Sequence, residues 1–441
     1  MDHSRLPVLI IGTGPSALLL AHSLLRFSIP FRLFEKDLSL NHRTQGYRFR
    51  VTGRGVTSCR DNLSPEHFAL LRASCADQQT AGVKRIDALT GNLLPMGMSK
   101  PSTPLAKDEE PLVAERTTMR RVLYNGLAKY TTFGKQLVSY QEDRQSDGSE
   151  SDSNRSVSSA TSSGGRGITV RFADGDTVRG ALLVGADGAF SRVRAQLLPD
   201  TKLLDSSMRM AFGRTHLTPE LETAMGSDDY KKLTEGTCLF NSPSKMFFMC
   251  ESMRFGQRES ARSMDADTAA AIPSDYVYWA LALRSEQDEA QGIDWRGMSA
   301  EQTAELTHKL TENWNNSMRQ LIVLQDKKHT MPLLSGVMPL PLTRWRHAAE
   351  PEDSPLVTLI GDAAHAMPPT AGVGATSALT DAAILGEALD KHGLTVHALE
   401  DYEKQMFDYG AKAIEGGCKN GKIFMPGLRD MSEMEAMEKT W

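Results

Sequence analysis

Cysteine is scarce in this chain of 441 residues. No two of its five cysteines form a C-x-x-C pair; they are Cys59, Cys75, Cys238, Cys250 and Cys418. A disulfide framework, a zinc site or a dithiol redox centre requires cysteines that are paired or closely spaced. The scarcity therefore argues against all three and favours a reducing, intracellular compartment. We expect a cytoplasmic protein without a metal site.

Long apolar runs and an excess of positive charge are also missing. The run at residues 17–21 (ALLLA) is far shorter than the ~20 apolar residues that span a bilayer. The first residues lack the apolar core and cleavage site of a secretory signal. With a formal net charge of -5, the chain has no excess of positive charge that would attract nucleic acid or anionic lipid. We therefore expect no transmembrane segment and no nucleic-acid partner, and a length typical of two domains.

The first motif with chemical content is the loop at residues 12–17 (GTGPSA), between a β-prone run and a Leu-rich helical segment. In such a loop, Gly12 permits a tight turn, Gly14 lets the backbone approach a pyrophosphate, and Ala17 allows close helix–sheet packing. The phosphate would lie on the N–H groups of the helix N-terminus. Glu35 ends the next predicted strand, where it can bind a ribose hydroxyl pair. The motif predicts a dinucleotide site without indicating which dinucleotide.

Two later motifs also follow predicted strands. Residues 183–194 (LVGADGAFSRVR) place an Asp-Gly turn before a helix with two arginines, a pattern that in isolation indicates only a turn. Residues 359–375 (LIGDAAHAMPPTAGVGA) place a Gly-Asp turn before a Gly-x-Gly loop that opens a helix. Asp362 would accept hydrogen bonds from a polyol such as a ribityl chain. The N–H groups of Gly374 and Ala375 would stabilise negative charge on a bound ring.

Composition and periodicity describe the remaining segments. Residues 145–167 contain nine serines in 23 residues, which predicts a disordered hairpin tip that is either a tolerated insertion or a carrier of phosphosites. Residues 93–111 are typical of a loop, and residues 208–284 are rich in strand-like patterns. Residues 299–324 predict one long helix with a capping box of Ser299 and Gln302. A last helical region is predicted from near Thr376.

Together the three motifs resemble the class A FAD-dependent aromatic hydroxylases, the family that includes p-hydroxybenzoate hydroxylase and salicylate hydroxylase. The motifs stand in that family's order and approximate spacing over essentially the whole chain, apart from the serine-rich segment. The resemblance implies an α/β fold, in which a Rossmann-like FAD-binding domain is interleaved with a smaller substrate domain that contains a mainly antiparallel sheet. The expected boundaries are 1–75, 112–200 and 345–425 for the FAD-binding domain, 76–111 and 201–344 for the substrate domain, and 426–441 for a tail.

The resemblance also implies which residues bind the cofactor. Asp362 matches the ribityl-binding aspartate, Arg116 matches an arginine that contacts FAD from a helix start, and residues 372–375 match the loop beside the isoalloxazine. Asp187, with Arg194, matches a motif that serves both FAD and NADPH, and residues 43–48 resemble a segment near the mobile edge of the flavin. The residues expected to bind FAD are Gly12, Gly14, Ala17, Glu35, Lys36, Arg116, Asp187, Asp362, Gly372, Gly374 and Ala375. Thr376 departs from the Asn of many relatives.

The activity that the resemblance implies is oxygenation of a small, aromatic or polyketide-like substrate with NAD(P)H and O₂, through a flavin C4a-hydroperoxide. A flavin-dependent oxidase or epoxidase on the same scaffold, and a flavin-binding interaction protein without turnover, remain open alternatives. The catalytic residues and the oligomeric state stay unassigned.

Several residues invite catalytic roles but have simpler interpretations. His365 is interpreted as a residue packed beside the Gly-Asp turn, and the spacing of Met431, Met434 and Met437 as a packing stripe. Three residues of the substrate domain that could orient a phenolate are interpreted as exposed strand residues; they are Arg209, Arg214 and Tyr230.

Overall fold

Two large β-sheets organise the part of the chain that the computed structural model describes, which is residues 6–42, 48–79, 81–95, 110–143, 166–242, 244–346 and 354–437. The strands are β1 (Val8–Ile11), β2 (Phe31–Phe34), β3 (Arg48–Val51), β4 (Val83–Asp87), β5 (Leu93–Leu94), β6 (Leu112–Glu115), β7 (Thr131–Thr132), β8 (Leu137–Asp143), β9 (Gly167–Phe172), β10 (Thr177–Gly180), β11 (Leu182–Gly185), β12 (Leu204–His216), β13 (Thr237–Asn241), β14 (Phe247–Met253), β15 (Tyr276–Arg284), β16 (Met331–Val337) and β17 (Val357–Leu359).

The helices are α1 (Pro15–Arg26), α2 (Arg54–Asn62), α3 (Pro65–Ala73), α4 (Arg116–Tyr124), α5 (Arg192–Leu197), α6 (Pro219–Met225), α7 (Ser227–Thr234), α8 (Arg258–Met264), α9 (Ala266–Ala271), α10 (Ala300–Leu310), α11 (Asn316–Val323), α12 (Asp362–His365), α13 (Gly374–His392) and α14 (Val396–Phe424). In the described ranges, no helix is both long enough and apolar enough to cross a membrane.

The first large sheet is parallel, with the strand order β17-β11-β1-β2-β7. All four residues of β1 and all four of β11 are buried, as expected for parallel strands that are covered on both faces. Helices α1 and α13 pack against each other so closely that a Cβ at Gly386 would overlap the side chain of Ser23. The β-α-β arrangement predicted at the start of the chain is therefore confirmed.

The second large sheet has seven strands in the order β16-β12-β15-β14-β13-β4-β5, and all its pairs are antiparallel except β13–β4. Alternate side chains point to opposite faces. The outer face carries Trp279, Phe248 and Leu281, which form a core with α6 and α11. The inner face carries Phe212 and Ala280 and packs against the segment that follows α14. This mixture of a parallel and a mainly antiparallel sheet confirms the predicted fold class.

The structure also tests several local predictions. Strands β8 and β9 pair as an antiparallel hairpin, as expected, while residues 144–165 of the serine-rich segment lie outside the described residues. The capping box of Ser299 and Gln302 is confirmed. The single helix predicted for 299–324 is wrong: α10 ends at Leu310 and α11 begins after Asn315, whose side chain caps it.

Two further element boundaries differ from the predictions. The last helical region begins at Gly374 rather than near Thr376 and is interrupted at Gly393, where φ is +72°. The predicted loop at 93–111 contains the short strand β5, which pairs with β4. The predicted domain boundaries stay a prediction, and the seven strands of the second sheet lie within 83–94 and 204–337.

Candidate cofactor site

The three sequence motifs follow neighbouring strands of the parallel sheet. Gly12 comes directly after β1, Asp187 follows β11, and Asp362 follows β17. These strands are adjacent in the order β17-β11-β1. Because the carboxyl ends of parallel strands meet at one edge of the sheet, the three loops converge there, and ligands of open α/β sheets bind at this edge. Motifs that are up to 350 residues apart in the sequence thus form one candidate site.

The two glycines of the first motif have different surroundings. At Gly12 φ is +108°, and a Cβ would lie 2.8 Å from the carbonyl carbon of Ala186 and closer still to its oxygen. Apart from its chain neighbours, no described residue would have an atom within 4 Å of a Cβ at Gly14. Helix α1 begins after Gly14 without a side-chain cap and without an acidic residue in its first turn. An uncapped helix start beside open space suits the pyrophosphate of a dinucleotide.

Glu35 is buried beneath this loop. Its Oε2 accepts hydrogen bonds from the backbone N–H of Thr13 at 3.0 Å and from the Thr13 hydroxyl at 2.7 Å, while Oε1 accepts one from the N–H of Asp37. The guanidinium of Arg120 contacts the same carboxylate at 3.4 Å and donates to the carbonyl of Thr13 at 2.9 Å. Glu35 therefore shapes the glycine loop directly. Its binding of a ribose stays a prediction that rests on the remaining acceptor capacity of Oε1.

Arg120 is a residue that sequence reasoning missed. It lies on the buried side of α4 among Met119, Val122 and Leu123, and it is only 7% exposed. Its charge on an otherwise apolar face was a signal in the sequence, because a buried arginine requires a partner. The sequence alone could not identify Glu35 and Thr13 as those partners, which come from elements that are distant along the chain.

Asp187 and Arg194 join the second motif to the third. The carboxylate of Asp187 accepts hydrogen bonds from the Ser191 hydroxyl and from the N–H groups of Arg192 at 2.7 Å and Val193 at 3.3 Å, so it caps the start of α5. The Arg194 guanidinium donates to the carbonyl of Ala363 at 2.9 Å, and burial lowers the pKa of Arg194 to about 10. In this arrangement both side chains hold the two motifs together. Their contacts with FAD or NADPH stay a prediction.

Asp362 lies in a recess rather than on a convex surface. The residue is exposed to solvent, yet desolvation by the surrounding protein is the largest effect on its carboxyl and raises its pKa. The positive charges of His365, Arg116 and Arg194 oppose this shift. Arg116 is the first residue of α4, as its predicted position at a helix start requires. The structure thus places Arg116 where its charge lowers the pKa of Asp362, an arrangement that fits a polyol and a phosphate.

A buried polar cluster around Asp381 forms hydrogen bonds with the Gly-Asp turn. Asp381 of α13, which is fully buried, accepts hydrogen bonds from the N–H of Gly361 at 2.6 Å, from Nε2 of His365 at 2.7 Å and from the Tyr409 hydroxyl. Burial is the largest single effect and lowers the pKa of His365, but the charge of Asp381, the hydrogen bond to Asp381 and the charge of Asp362 together outweigh it, so the net pKa of His365 is raised. The interpretation of His365 as a packed residue is confirmed. Asp381 was missed, although it is a lone charge in an apolar helical run.

The second glycine loop contains a left-handed residue and an uncapped helix start. Gly372 has φ of +66°, which follows the short 3-10 turn Pro369–Ala371. Helix α13 begins at Gly374 without a side-chain cap, and a Cβ at Gly374 would meet Met367 only at an ordinary 3.9 Å. Ala375 packs in part against the core, and the Thr376 hydroxyl accepts a hydrogen bond from the N–H of Thr52. The loop accordingly has room beside it, and its contact with an isoalloxazine stays a prediction.

The inner face of the seven-stranded sheet and the second glycine loop both lie against the same part of α14. A Cβ at Gly421 would lie 3.4 Å from Oγ1 of Thr370 and 3.8 Å from Cε of Met208 on the inner face. The inner face combines Met210 and Phe212 with half-buried side chains such as Met249. It therefore forms an apolar wall beside the cofactor loops.

The residues that were considered for substrate binding divide between the two faces. Arg214 is on the inner face with Phe212, whereas Arg209 belongs to the outer face and forms two hydrogen bonds with Asp205. Tyr230 packs into the core of the outer face. Arg209 and Tyr230 are therefore removed from the candidate site, and only Arg214 remains near it.

The other predicted residues are placed as follows. Lys36 is exposed, and residues 43–47 lie outside the described part of the chain. Met431 and Met437 pack in one apolar cluster with Val337, which confirms the packing interpretation for both. Among the described residues, no group of three or more His, Cys, Asp or Glu side chains could hold a metal ion.

Replacing Asp362 with alanine is expected to weaken FAD binding by roughly 10- to 100-fold, because hydrogen bonds to a charged group contribute about 1.5–3 kcal/mol. Asp390→Ala is the matched control, since Asp390 is an exposed residue near the end of the helix that follows this motif. FAD affinity measured by fluorescence titration of the apoprotein compares the two variants. Equal affinities would remove Asp362 from the cofactor site.

Comparisons with known proteins support the same location. The family described as the FAD binding domain matches residues 339–413, which include the third motif and most of α13 and α14. The dual O-methyltransferase/FAD-dependent monooxygenase elcB of Phaeosphaeria nodorum is 34% identical over 87% of this chain. The chain spans 40% of the length of elcB and 44% of the length of two other dual-function relatives.

Relatives that the chain covers over nearly their whole length are also named FAD-dependent monooxygenases. The FAD-dependent monooxygenase phnB of Penicillium herquei is 24% identical, and the alignment covers 96% of this chain and 92% of phnB. Among solved structures, a putative FAD containing monooxygenase from Photorhabdus luminescens aligns with a TM-score of 0.70 and 23% identity, covering 96% of this chain and 99% of that one. That structural similarity establishes a shared fold.

Proposed function

The chain has the fold of the FAD-dependent monooxygenases together with a FAD-binding domain, and we propose that it uses FAD, NAD(P)H and O₂ to oxygenate a small, apolar, aromatic or polyketide-like molecule. The observation that carries the proposal is the convergence of three motif loops at one sheet edge, beside open space at Gly14 and an apolar wall. When bound, FAD would supply the redox chemistry, which is hydride acceptance and activation of O₂.

The residues of this chain would bind and orient the cofactor. The uncapped start of α1 after Gly14 would hold the pyrophosphate, and Asp362 with Arg116 would hold the polyol and phosphate beyond it. The start of α13 would place its N–H groups and positive helix end toward the ring, where they would stabilise negative charge on the reduced form. These assignments rest on the geometry and charge of the described residues and on the space that they leave beside Gly14.

The inner face of the seven-stranded sheet would select and enclose the substrate. Met210, Phe212 and Ala280 are buried, while Met249 and Met331 on the same face are only partly buried. Methionine side chains adapt to ligands of irregular shape and contact aromatic rings favourably. An apolar wall also excludes water from the site, which limits side reactions of reactive intermediates. The substrate class proposed here follows from that wall.

The proposal is tested by purification followed by cofactor release and turnover assays. We expect a yellow protein that releases intact FAD on denaturation, and that oxidises NADPH or NADH with matching O₂ uptake when a phenolic or polyketide compound is added. Release of FMN, or flavin that stays attached to the denatured chain, contradicts the cofactor assignment. Turnover that yields only hydrogen peroxide and a dehydrogenated product favours an oxidase, and FAD binding without turnover on any compound favours an interaction protein.

A further inference from the structure

One row of polar side chains crosses the inner face of the seven-stranded sheet. Glu251 on β14 is directly opposite Tyr278 on β15, and Tyr278 is directly opposite Arg214 on β12. His329, two residues before β16, continues this row because its Nδ1 lies 3.0 Å from Nη2 of Arg214. We refer to these four residues as the polar row. Its members come from four different segments, and strand register alone brings three of them together.

The polar row separates two different environments. On one side, the next row of the inner face is apolar, with Met249 opposite Ala280, Ala280 opposite Phe212, and Phe212 opposite Met331. On the other side, Met253 and Tyr276 are buried in the core that includes the parallel sheet. The polar row therefore lies where the apolar wall meets the FAD-binding part of the molecule. A substrate with an apolar body and one polar group would place that group here.

A charged residue of the FAD-binding part contacts the polar row directly. Arg48 of β3 forms a 2.6 Å ion pair with Glu251, whose side chain is only 3% exposed. Arg48 is directly opposite Glu115 in the β3–β6 pair, and Glu115 caps α4, the helix that begins with Arg116. The polar row thus adjoins the start of α4 through Arg48. The proposed cofactor site and the polar row are neighbours.

His329 has the geometry of a base within this row. Its Nδ1 lies 2.8 Å from Oδ2 of Asp326, a carboxylate that also accepts a hydrogen bond from Nε of Arg214 at 3.1 Å. Nδ1 thus meets both the Asp326 carboxylate, which can only accept, and the Arg214 guanidinium, which can only donate. The contact with Asp326 is the shorter of the two and favours the proton on Nδ1, which leaves the Nε2 lone pair as an acceptor. Within the described residues Nε2 has no hydrogen-bond partner, and the side chain is 25% exposed.

His329 is a neutral base near pH 7. Burial is the largest effect and lowers its pKa, the cation of Arg214 lowers it further, and the charge of Asp326 opposes the shift only in part. The charged and titratable groups around it are Arg214 and His216 on β12, Tyr276 on β15, Asp326, Lys327 and Lys328 in its own turn, and Glu115 before α4. The helix α10 packs against this turn with uncharged Thr307, which contacts Gln325.

We propose that His329 is the catalytic base that takes the proton from an acidic hydroxyl group of the substrate, an inference that rests on the proposed function. The substrate O–H bond breaks, a bond from Nε2 to that proton forms, and the electron pair stays on the substrate oxygen. The positive charge of Arg214, which lies on the Nδ1 side of the imidazole, favours the resulting oxyanion, and the charge of the oxyanion makes the attached ring more reactive toward oxygen transfer. Asp326 positions His329 and stabilises its protonated form.

The test compares His329→Gln with the FAD-loaded wild type. Because the base must be neutral, kcat/KM of the wild type should rise with pH through a pKa below the ordinary histidine value of about 6.5. In His329→Gln, kcat/KM at pH 7 should fall roughly 100-fold. It should recover as the pH approaches the pKa of the phenol itself, about 10 for an unsubstituted phenol. The compound used is the phenol that stimulates NADPH oxidation most strongly in the wild type.

His216→Gln is the matched control. His216 contacts the same Asp326 oxygen at 3.3 Å, but its other ring nitrogen bonds to Ser274 and it lies beyond the polar row. This variant should keep the pH profile of the wild type. A His329→Gln protein with the wild-type profile, or with a loss that is equal at all pH values, contradicts the assignment, as does the same profile change in His216→Gln.

A second measurement requires no turnover and no variant. The absorbance of the bound phenol, recorded in the FAD-loaded wild type without NADPH, should show that it ionises at a lower pH than the free phenol. An unchanged ionisation pH overturns the role of His329 even if His329→Gln does not fold. If no phenol stimulates NADPH oxidation or binds to the wild type, the proposed function fails, and this outcome is distinct from failure of the base.

Discussion

Replacing Gly14 with alanine is expected to yield a folded protein that binds FAD clearly more weakly than the wild type. Beyond its chain neighbours, a Cβ at this position meets no atom within 4 Å in the described part of the chain, so that part accommodates the methyl group. The same open space is where the pyrophosphate must approach the start of α1. Overpacking at a tight contact costs about 1–3 kcal/mol, which corresponds to a loss of roughly 5- to 150-fold in affinity. Fluorescence titration of the apoprotein with FAD measures this loss.

Gly416→Ala is the matched control for Gly14→Ala. Gly416 also has no protein atom within 4 Å of its Cβ position, but it lies in the middle of α14. Alanine is the better helix former, so this variant should bind FAD normally and be slightly more stable. Normal FAD affinity in Gly14→Ala would show that the pyrophosphate does not approach this loop.

Replacing Gly12 with alanine should have the opposite phenotype. The apoprotein itself should be destabilised, independently of any effect on cofactor binding. The residue has φ of +108°, and its Cβ would lie 2.8 Å from the carbonyl carbon of Ala186. Backbone strain of about 1–3 kcal/mol and overpacking of about 1–3 kcal/mol act together, so we expect a loss of roughly 2–6 kcal/mol. Denaturant unfolding of the apoprotein measures this change, which is a large part of the stability of a typical domain.

Gly175→Ala separates the two causes of that loss. Gly175 also has a positive φ, of +92°, but no protein atom lies within 4 Å of its Cβ position. It should therefore show the strain without the collision, and lose distinctly less stability than Gly12→Ala. Equal losses in the two variants would mean that the contact between the loop after β1 and the end of β11 contributes nothing.

The parallel sheet and its three motif loops were predictable because local patterns encode them. A buried apolar run followed by Gly12 and Gly14, or by Asp362, requires a strand, a turn and a helix start in that order. The resemblance then implied one Rossmann-like FAD-binding domain, and the structure places the three strands next to one another in a parallel sheet. The split between α10 and α11 was missed, because the periodicity of the segment is helical on both sides of Asn315.

The contacts that hold the candidate site together were not predictable from the sequence. Arg120 bonds to Thr13 across 107 positions, and Arg194 bonds to Ala363 across 169 positions. Such partners depend on tertiary packing, and neither charge pattern nor spacing indicates which distant carbonyl a buried arginine will meet. The same holds for the polar row, where Arg214 was visible as a charge but His329 and Asp326 were not recognised as its partners.

The measurement that tests the central claim most directly is turnover under isotopically labelled O₂. The FAD-loaded protein, NADPH and the most stimulating phenol are incubated with oxygen-18 gas, and the product is analysed by mass spectrometry. The account predicts one labelled oxygen atom in each product molecule and one equivalent of NADPH consumed. A product without the label, or labelled O₂ that is recovered entirely as hydrogen peroxide, would contradict the assignment of this chain as a monooxygenase.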